Sequence, residues 1–568
     1  MKALPISLIL IFIFNTLCFG QIKPNQVLVT INNRPVSASE FERVYEKNSQ
    51  VGTSEKETVE SYFDLYVKFK LKVNAAIDSG MDTLTSFKTE LKGYRDQLAK
   101  NYLSDNNALE KMVKEAYFRT SNEVNLSHIM IALPGNPSPK DTLLAWQKIE
   151  KIRARLNKGE SFEKLALELS EDPSAKTNKG LIGYISCFQF PYLFESAAYN
   201  TPVGSISQPV RSKFGYHIIK INDKRPSHGQ VKVAHIMIIS PANSSDEQKK
   251  QAEQKINDIY AKIQNGENFD TLARKLSDDK YSAPNNGEMQ WFGIRMIGAP
   301  EFEEVAFSLK NIGEISKPVK TQFGWHIIKL LGTRPVEPLE KIQADLKTRI
   351  AQNDRNEILQ QSFVNHLKNE YKPIVNKQSI EGLYKLDTLV YQSDTKLELS
   401  CDTNATFLQI KKTNYPVKQF IEMVKTNRNG YVNWTARDFI DKMTDNYINK
   451  TIVTYENSQL EKKYPEFANL SQEYYEGILL FNIMEHNVWS KASTDSIGLQ
   501  QYYTNNKEKY NNPEPRPLDE IRGIVMSDYQ NYLEENWIEG LRKNYTVTVN
   551  TKLLNKIAKK YNSKQNAK

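Results

Sequence analysis

Cysteine is almost absent: 3 in 568 residues, at Cys18, Cys187 and Cys401. Cys187 and Cys401 are too few and too far apart in sequence to form a disulfide framework, and packing is the expected role for both. No HExxH, paired CxxC, GxSxG, P-loop or GxGxxG occurs, so metalloprotease, zinc-ribbon, serine-hydrolase, nucleotide-hydrolysing and dinucleotide chemistries lack their signatures. A one-signed charge block is missing too. Lys plus Arg number 76 and Asp plus Glu 67, a net +9, but acids and bases are interspersed from end to end. Nucleic acid is therefore not an expected partner, because phosphate neutralisation needs clustered cations. With 39% apolar and 25% charged residues the composition is that of soluble domains, which excludes extended disorder and a multi-span membrane protein.

The one long apolar stretch is at the start. Met1 and Lys2 precede a mostly apolar run over 4–17 and then Cys18, Phe19 and Gly20. A charged start, an apolar middle too short to span a bilayer, and small residues three and one before Gln21 predict a cleaved secretory signal over 1–20 and a periplasmic destination. An uncleaved anchor and a lipid-modified Cys18 are the alternatives; Leu17 stands where a lipoprotein signal wants a small residue. The remaining 568 − 20 = 548 residues suffice for three or four cores at about 150 residues each.

Self-similarity organises the middle of the chain. SHIMIAL at 127–133 returns as AHIMIIS at 234–240, and NKGESFEKLALELSED at 157–172 as QNGENFDTLARKLSDD at 264–279, both at an offset of 107. VGSISQPV at 203–210 returns as IGEISKPV at 312–319, and FGYHIIKI at 214–221 as FGWHIIKL at 323–330, now at 109. Two copies of one domain follow, at 122–226 and 228–335. Within a copy, alternation over 124–131 predicts a two-sided strand. Leu144, Ile149, Ile152 and Leu156 predict a helix stopped by Gly159, and Ser161 opens a second helix. Short strands are expected at 182–185, 206–210 and 216–221. An α+β domain, an antiparallel sheet with packed helices, is the economical fold.

Of seven histidines, four fall at equivalent places: His128 and His235 on the first strand, His217 and His326 on the last. A compact antiparallel sheet can make each pair neighbours whose rings fix each other's tautomer. Two histidines and an aspartate per copy would hold zinc only if all three converged. Ser127 beside His128 is a poor hydrolase pair, because adjacent strand residues point to opposite faces.

These ordered blocks resemble the parvulin (PpiC, or rotamase) class of peptidyl-prolyl cis–trans isomerases. The resemblance implies catalytic trios His128, Asp172 and His217 in the first copy and His235, Asp279 and His326 in the second. It also implies apolar proline pockets from Ile182, Phe190 and Phe194, and from Met289, Met296 and Phe302, with no metal and no cofactor. Where the family has GGDLGWF, the first copy reads KGLIGYI (179–185) and the second NNGEMQWF (285–292). The second keeps an acid and the aromatic pair and is expected to be the more active.

The flanks echo one another more faintly. VTINNRPVSASEFERVYEKN at 29–48 is similar to LQIKKTNYPVKQFIEMVKTN at 408–427, and LEKI at 339–342 to LDEI at 518–521. A duplicated helical module is expected: 21–121 opening and 336–386 closing the first copy, 400–568 forming the second. A secreted chain with tandem isomerase domains between helical modules resembles the SurA type of periplasmic chaperone. That implies unfolded exported polypeptides, outer-membrane proteins among them, as partners. A holdase without turnover and an envelope assembly factor using the folds for docking are the other readings.

Overall fold

Serine starts the first helix of each repeat, followed by proline in the first, and glycine stops it. In the computed structural model, which describes residues 25–49, 58–241, 243–386, 392–510, 514 and 516–565, Ser138 caps the helix Pro139–Asn157. Its hydroxyl accepts from Asp141 N–H at 3.2 Å while the Asp141 carboxylate accepts from Ser138 N–H at 3.0 Å, and Pro139 sits where no N–H is needed. Ser245 with Gln248 builds the same box before Asp246–Gln264. Ser161 and Asn268 cap the second helices, Phe162–Leu169 and Phe269–Leu276. The expected signal over 1–20 lies outside the described residues.

The sheet of the first repeat runs Leu181–Ile185, Asn122–Ala132, Gly215–Pro226, Val210–Arg211, all antiparallel. Alternation divides it into two cores. Ile129, Ile131 and Ile218 face the helices Pro139–Asn157 and Phe162–Leu169, while Val124, Leu126, Ile219 and Ile221 face the helix Tyr192–Asn200. The second repeat pairs Gln230–Ile239 with Gly324–Arg334 and that with Val319–Lys320. Its counterpart of Leu181–Ile185 is reduced to bridges at Val231–Phe292 and Ala234–Glu288. Gly183 holds φ +82° in the first repeat, a conformation that strains any side chain, and Gln290 stands at the equivalent position of the second. The strand expected over 206–210 shrinks to a bridge at Ile206 and a pair starting at Val210, since Pro209 has no N–H to offer a ladder.

Chain contacts separate two units, 1–102 with 459–568, and 103–458. This corrects the expected flank organisation. Both opening segments form the same motif, a bulged hairpin and a helix: Val27–Ile31, Arg34–Ser37 and Ala38–Ser49 in one, Thr406–Ile410, Thr413–Pro416 and Val417–Asn427 in the other. Their closing strands are exchanged. Ile374–Val375 pairs with Thr406–Ile410, and Val27–Ile31 pairs with Val547–Val549. The likeness of 336–386 to the chain's end is real, since Asn376 N–H donates to Phe407 O and Asn550 N–H to Leu28 O, both at 2.8 Å. Equivalence does not decide pairing, however. Counting both closures, the observed pairing (about 30 and about 515 residues) costs less entropy than the alternative (about 345 and about 140), by about 1 kcal/mol. The helix Asn106–Thr120, expected in the opening module, packs with Leu339–Ala351 in the second unit through Met112, Val113, Ala116, Leu346 and Ile350.

Candidate active site

Register brings the histidines together. His128 lies opposite Ile219 and His217 opposite Met130, so the two are diagonal neighbours on one face of the sheet, and His235 and His326 repeat this opposite Ile328 and Met237. The rings stack at 5.7 Å and 15° in the first repeat, and at 5.5 Å and 12° in the second. Phe194 stands edge-on to both rings of its pair, and Phe302 to both of the other. The loop after the second helix delivers the aspartate: His128 Nε2 is 2.6 Å from Asp172 Oδ2, and His235 Nε2 is 2.8 Å from Asp279 Oδ2. All six polar residues inferred from sequence therefore converge as two trios.

Two hydroxyls escaped the sequence reading. Ser212 Oγ lies 2.7 Å from His217 Nε2, and Thr321 Oγ1 lies 2.9 Å from His326 Nε2. Each also accepts a backbone N–H, from Phe214 and Phe323, at 3.1 Å. A signal for them exists, a hydroxyl five residues before the last histidine in both copies. Ser282 Oγ adds a hydrogen bond to Asp279 and stands 3.1 Å from His235 Nε2.

The trios differ at their centre. In the second repeat the Nδ1 atoms of His235 and His326 are 3.3 Å apart, a hydrogen bond that needs a single proton between the two rings. A continuous line then runs from Phe323 N–H through Thr321, His326 and His235 to Asp279. In the first repeat His128 Nδ1 and His217 Nδ1 are buried with no hydrogen-bond partner among the described residues. Burial, reinforced by the neighbouring imidazole, pushes His217 and His326 each down to about 3, so both rings are neutral at pH 7. Burial also lowers His128, against the pull of Asp172. The His235 hydrogen bond, helped by Ser282 and Tyr281 N–H, holds Asp279 well below the carboxylate range. Desolvation raises Asp172, but the Ser174 and His128 hydrogen bonds outweigh it and hold this carboxyl low as well. No group of three His, Cys, Asp or Glu among the described residues is placed to hold a metal ion.

Beside the first pair, Ile182, Phe190 and Phe194 form one apolar cluster, with Phe190 and Phe194 stacked at 4.9 Å. Beside the second, Met289 and Phe302 belong to the corresponding cluster, but Met296 does not. It is 60% exposed, and Ile297 takes the Phe190 place. The backbone explains the shift. Phe188 and Arg295 are equivalent left-handed residues (φ +67° and +60°), so Met296 matches Gln189 and Ile297 matches Phe190. A buried glutamate clamps each loop: Glu195 accepts from Gln189 and Phe190 N–H, Glu303 from Arg295 and Ile297 N–H. Arg295 of the second repeat reaches the first cluster. Its Nη1 donates to Ile182 O at 2.6 Å and its guanidinium lies 5.3 Å from the Phe190 ring centre, while Gln189 Nε2 donates to Ile294 O at 2.7 Å.

The family model described as "Rotamase: PPIC-type PPIASE domain" matches residues 128–223 and 235–332. Similar proteins include the chaperone SurA of Hahella chejuensis, 32% identical over 252 residues (44% of this chain, 57% of that protein). The chaperone SurA of Photorhabdus laumondii subsp. laumondii is 34% identical over 285 residues (46% and 62%). The chain thus spans about three fifths of the length of these relatives. Among solved structures, a PpiC-type peptidyl-prolyl cis–trans isomerase domain is 28% identical, with a TM-score of 0.18, covering 19% of this chain and 97% of that one. NmPin, the parvulin of Nitrosopumilus maritimus, is 36% identical, with a TM-score of 0.15, covering 18% and 97%. Residues 128–223 and 235–332 are thus two tandem rotamase domains of the PPIC type, one with its histidine rings linked and one with the link open.

Proposed function

We propose that the chain is a periplasmic peptidyl-prolyl cis–trans isomerase that also holds unfolded exported polypeptides, outer-membrane proteins among them, with turnover centred on His235, Asp279 and His326. The observation that carries this reading is the bonded histidine pair set edge-on to Phe302 beside an apolar cluster. Prolyl isomerisation has to cross a barrier of about 18–20 kcal/mol, because rotation breaks amide resonance. The twisted amide has less charge separation than the planar one and a more basic nitrogen. A cleft that strips water from the prolyl ring and favours the twisted form lowers the barrier without a covalent intermediate. Met289, Ile297 and Phe302 would receive the ring. The line from Thr321 to Asp279 would fix one tautomer of each imidazole and engages all four ring nitrogens, so the pair would act through its fixed dipoles beside the cleft and not by donating to the amide carbonyl. Holding of unfolded polypeptide is inferred from the SurA relatives. Among the described residues no helix is long and apolar enough to cross a membrane.

The binding-only reading suits the first domain. Its ring nitrogens are not joined, and Arg295 engages Ile182 and Phe190. Turnover of a prolyl tetrapeptide by the full chain tests both readings. His326→Ala should lower it ten- to a hundredfold, the worth of about 1.5–3 kcal/mol for a hydrogen-bonded site of this kind. His217→Ala should change it less than twofold. Equal losses, or none in either variant, would remove the assignment.

A further inference from the structure

We propose that the groove between the first rotamase domain and the helices of 417–457 is a second polypeptide-binding site, selective for extended segments in which a carboxylate sits beside aromatic side chains. The groove encloses about 570 Å³ and lies wholly within the unit 103–458. That is within the range of roughly 300–1,000 Å³ typical of ligand sites. One wall carries Trp146 and Tyr216, packed edge to face at 5.3 Å, and the other Tyr431 and Trp434, at 5.0 Å and 90°. Asn136, at φ +56°, joins the walls, its Nδ2 donating to Gly430 O at 2.6 Å and its carbonyl accepting from Trp434 Nε1 at 3.2 Å. The aromatic faces are therefore held apart in advance, and an occupant need not pay to open them.

Charge decides the occupant. Arg211 and Lys442 also line the groove, both exposed, and neither side chain has a hydrogen bond or ion pair with any described residue. Some cations beside aromatic rings in this chain are answered by acids, as Arg119 is by Glu115 and Glu195, and others, such as Lys320 beside Trp325, are not. Two unanswered cations beside two tryptophans and two tyrosines match a segment that brings its own carboxylate together with rings to stack. The site is distinct from the isomerase centre. Tyr216 and His217 are successive strand residues and so face opposite sides of the sheet, and Tyr216 packs with the helix Pro139–Asn157. A segment held here leaves the histidine face clear.

This inference rests on the polypeptide-holding part of the proposed function, and the full chain tests it. The probes are fluorescein-labelled Gly-Phe-Glu-Tyr-Gly, the same peptide with Lys for Glu, and the same with Ala for both aromatics, read by anisotropy at low salt. The Glu peptide should bind about five- to tenfold tighter than the Lys peptide, the worth of an exposed ion pair or two, and the Ala peptide should bind weakest. Arg211→Glu with Lys442→Glu should reverse the charge preference. Leu143→Asp, at a half-exposed position on the same helix as Trp146, should weaken the Glu peptide alone. Equal binding of the Glu and Lys peptides, no binding of either, or a preference that survives charge reversal would overturn the site. Prolyl turnover is measured on the same samples. Charge-selective binding with no turnover anywhere would sink the isomerase reading and leave the groove standing, and turnover with charge-blind binding would do the opposite.

Discussion

The two rotamase domains share a sheet, a histidine pair and a loop-clamping glutamate, yet they use that glutamate differently. In the first, Glu195 holds the Gln189 and Phe190 amides and also meets Arg119 and Arg355, both buried, from the helices Asn106–Thr120 and Arg355–Tyr371. Phe188 lies between Arg349 and Arg355, with guanidinium carbons 4.3 and 4.4 Å from its ring centre. In the second, Glu303 holds only its own loop amides, and Arg295 replaces Phe188. Duplication has kept the clamp and changed what it is fastened to. The first domain is bolted to the helices Asn106–Thr120 and Arg355–Tyr371, and the second meets the first through Arg295 and through the Gln189 side chain, which donates to Ile294 O. The domain with the heavier fastening is also the one whose imidazoles are not joined.

The sharpest way to break this comparison is to remove the clamp. Glu195→Ala strands the buried Arg355 guanidinium, leaves Arg119 to Glu115 and Ser196, and should destabilise the chain by about 3–5 kcal/mol. Glu303→Ala frees two backbone N–H groups and should cost about 1–3 kcal/mol. Chemical denaturation of both variants checks the order, and equal costs would mean that Glu195 is no hub. Next in size is an acid limb that the two domains should share. His217 and His326 sit near 3 in the fold, against an ordinary value near 6.5. The unfolded chain takes up these protons as pH falls through 6.5 and the folded chain does so only near 3. Stability is therefore unaffected above 6.5 and falls steadily between the two. Thermal melting from pH 7 to 4 should show this slope, shallower by about one proton in either His→Gln variant; an unchanged slope would mean the rings are not the source. Smallest is Arg295→Ala, which removes one hydrogen bond and one stacking contact at a solvent-facing position, about 1 kcal/mol. Faster amide exchange in Leu181–Ile185 would register it, and unchanged exchange there would mean that the second domain does not brace the first.

How far the sequence could be read depends on whether the information is local. The repeat offsets placed His128, His217, His235 and His326 because sheet register is set by alternation over a few residues, and copies with the same alternation take the same register. Asp172 and Asp279 came with them by resemblance. Ile297 was missed because Arg295 and Phe188 share a left-handed backbone, not a side chain, and side chains are what a sequence alignment compares. The Arg119–Glu195–Arg355 cluster joins charges 76 and 160 residues apart, and nothing local marks three residues among 143 charged ones as partners. The exchanged closing strands were missed for the opposite reason. The two motifs are alike, and the difference in loop length that favours the observed pairing leaves no motif.

That exchange sets an order of assembly during synthesis. Each rotamase domain closes its sheet over about a hundred residues and can form as soon as it emerges. The hairpin Val27–Ile31 with Arg34–Ser37 emerges far earlier, yet it waits with one backbone edge open until Val547–Val549 arrives. A product cut short before residue 547 would therefore carry a permanently bare strand edge, and such edges recruit other chains.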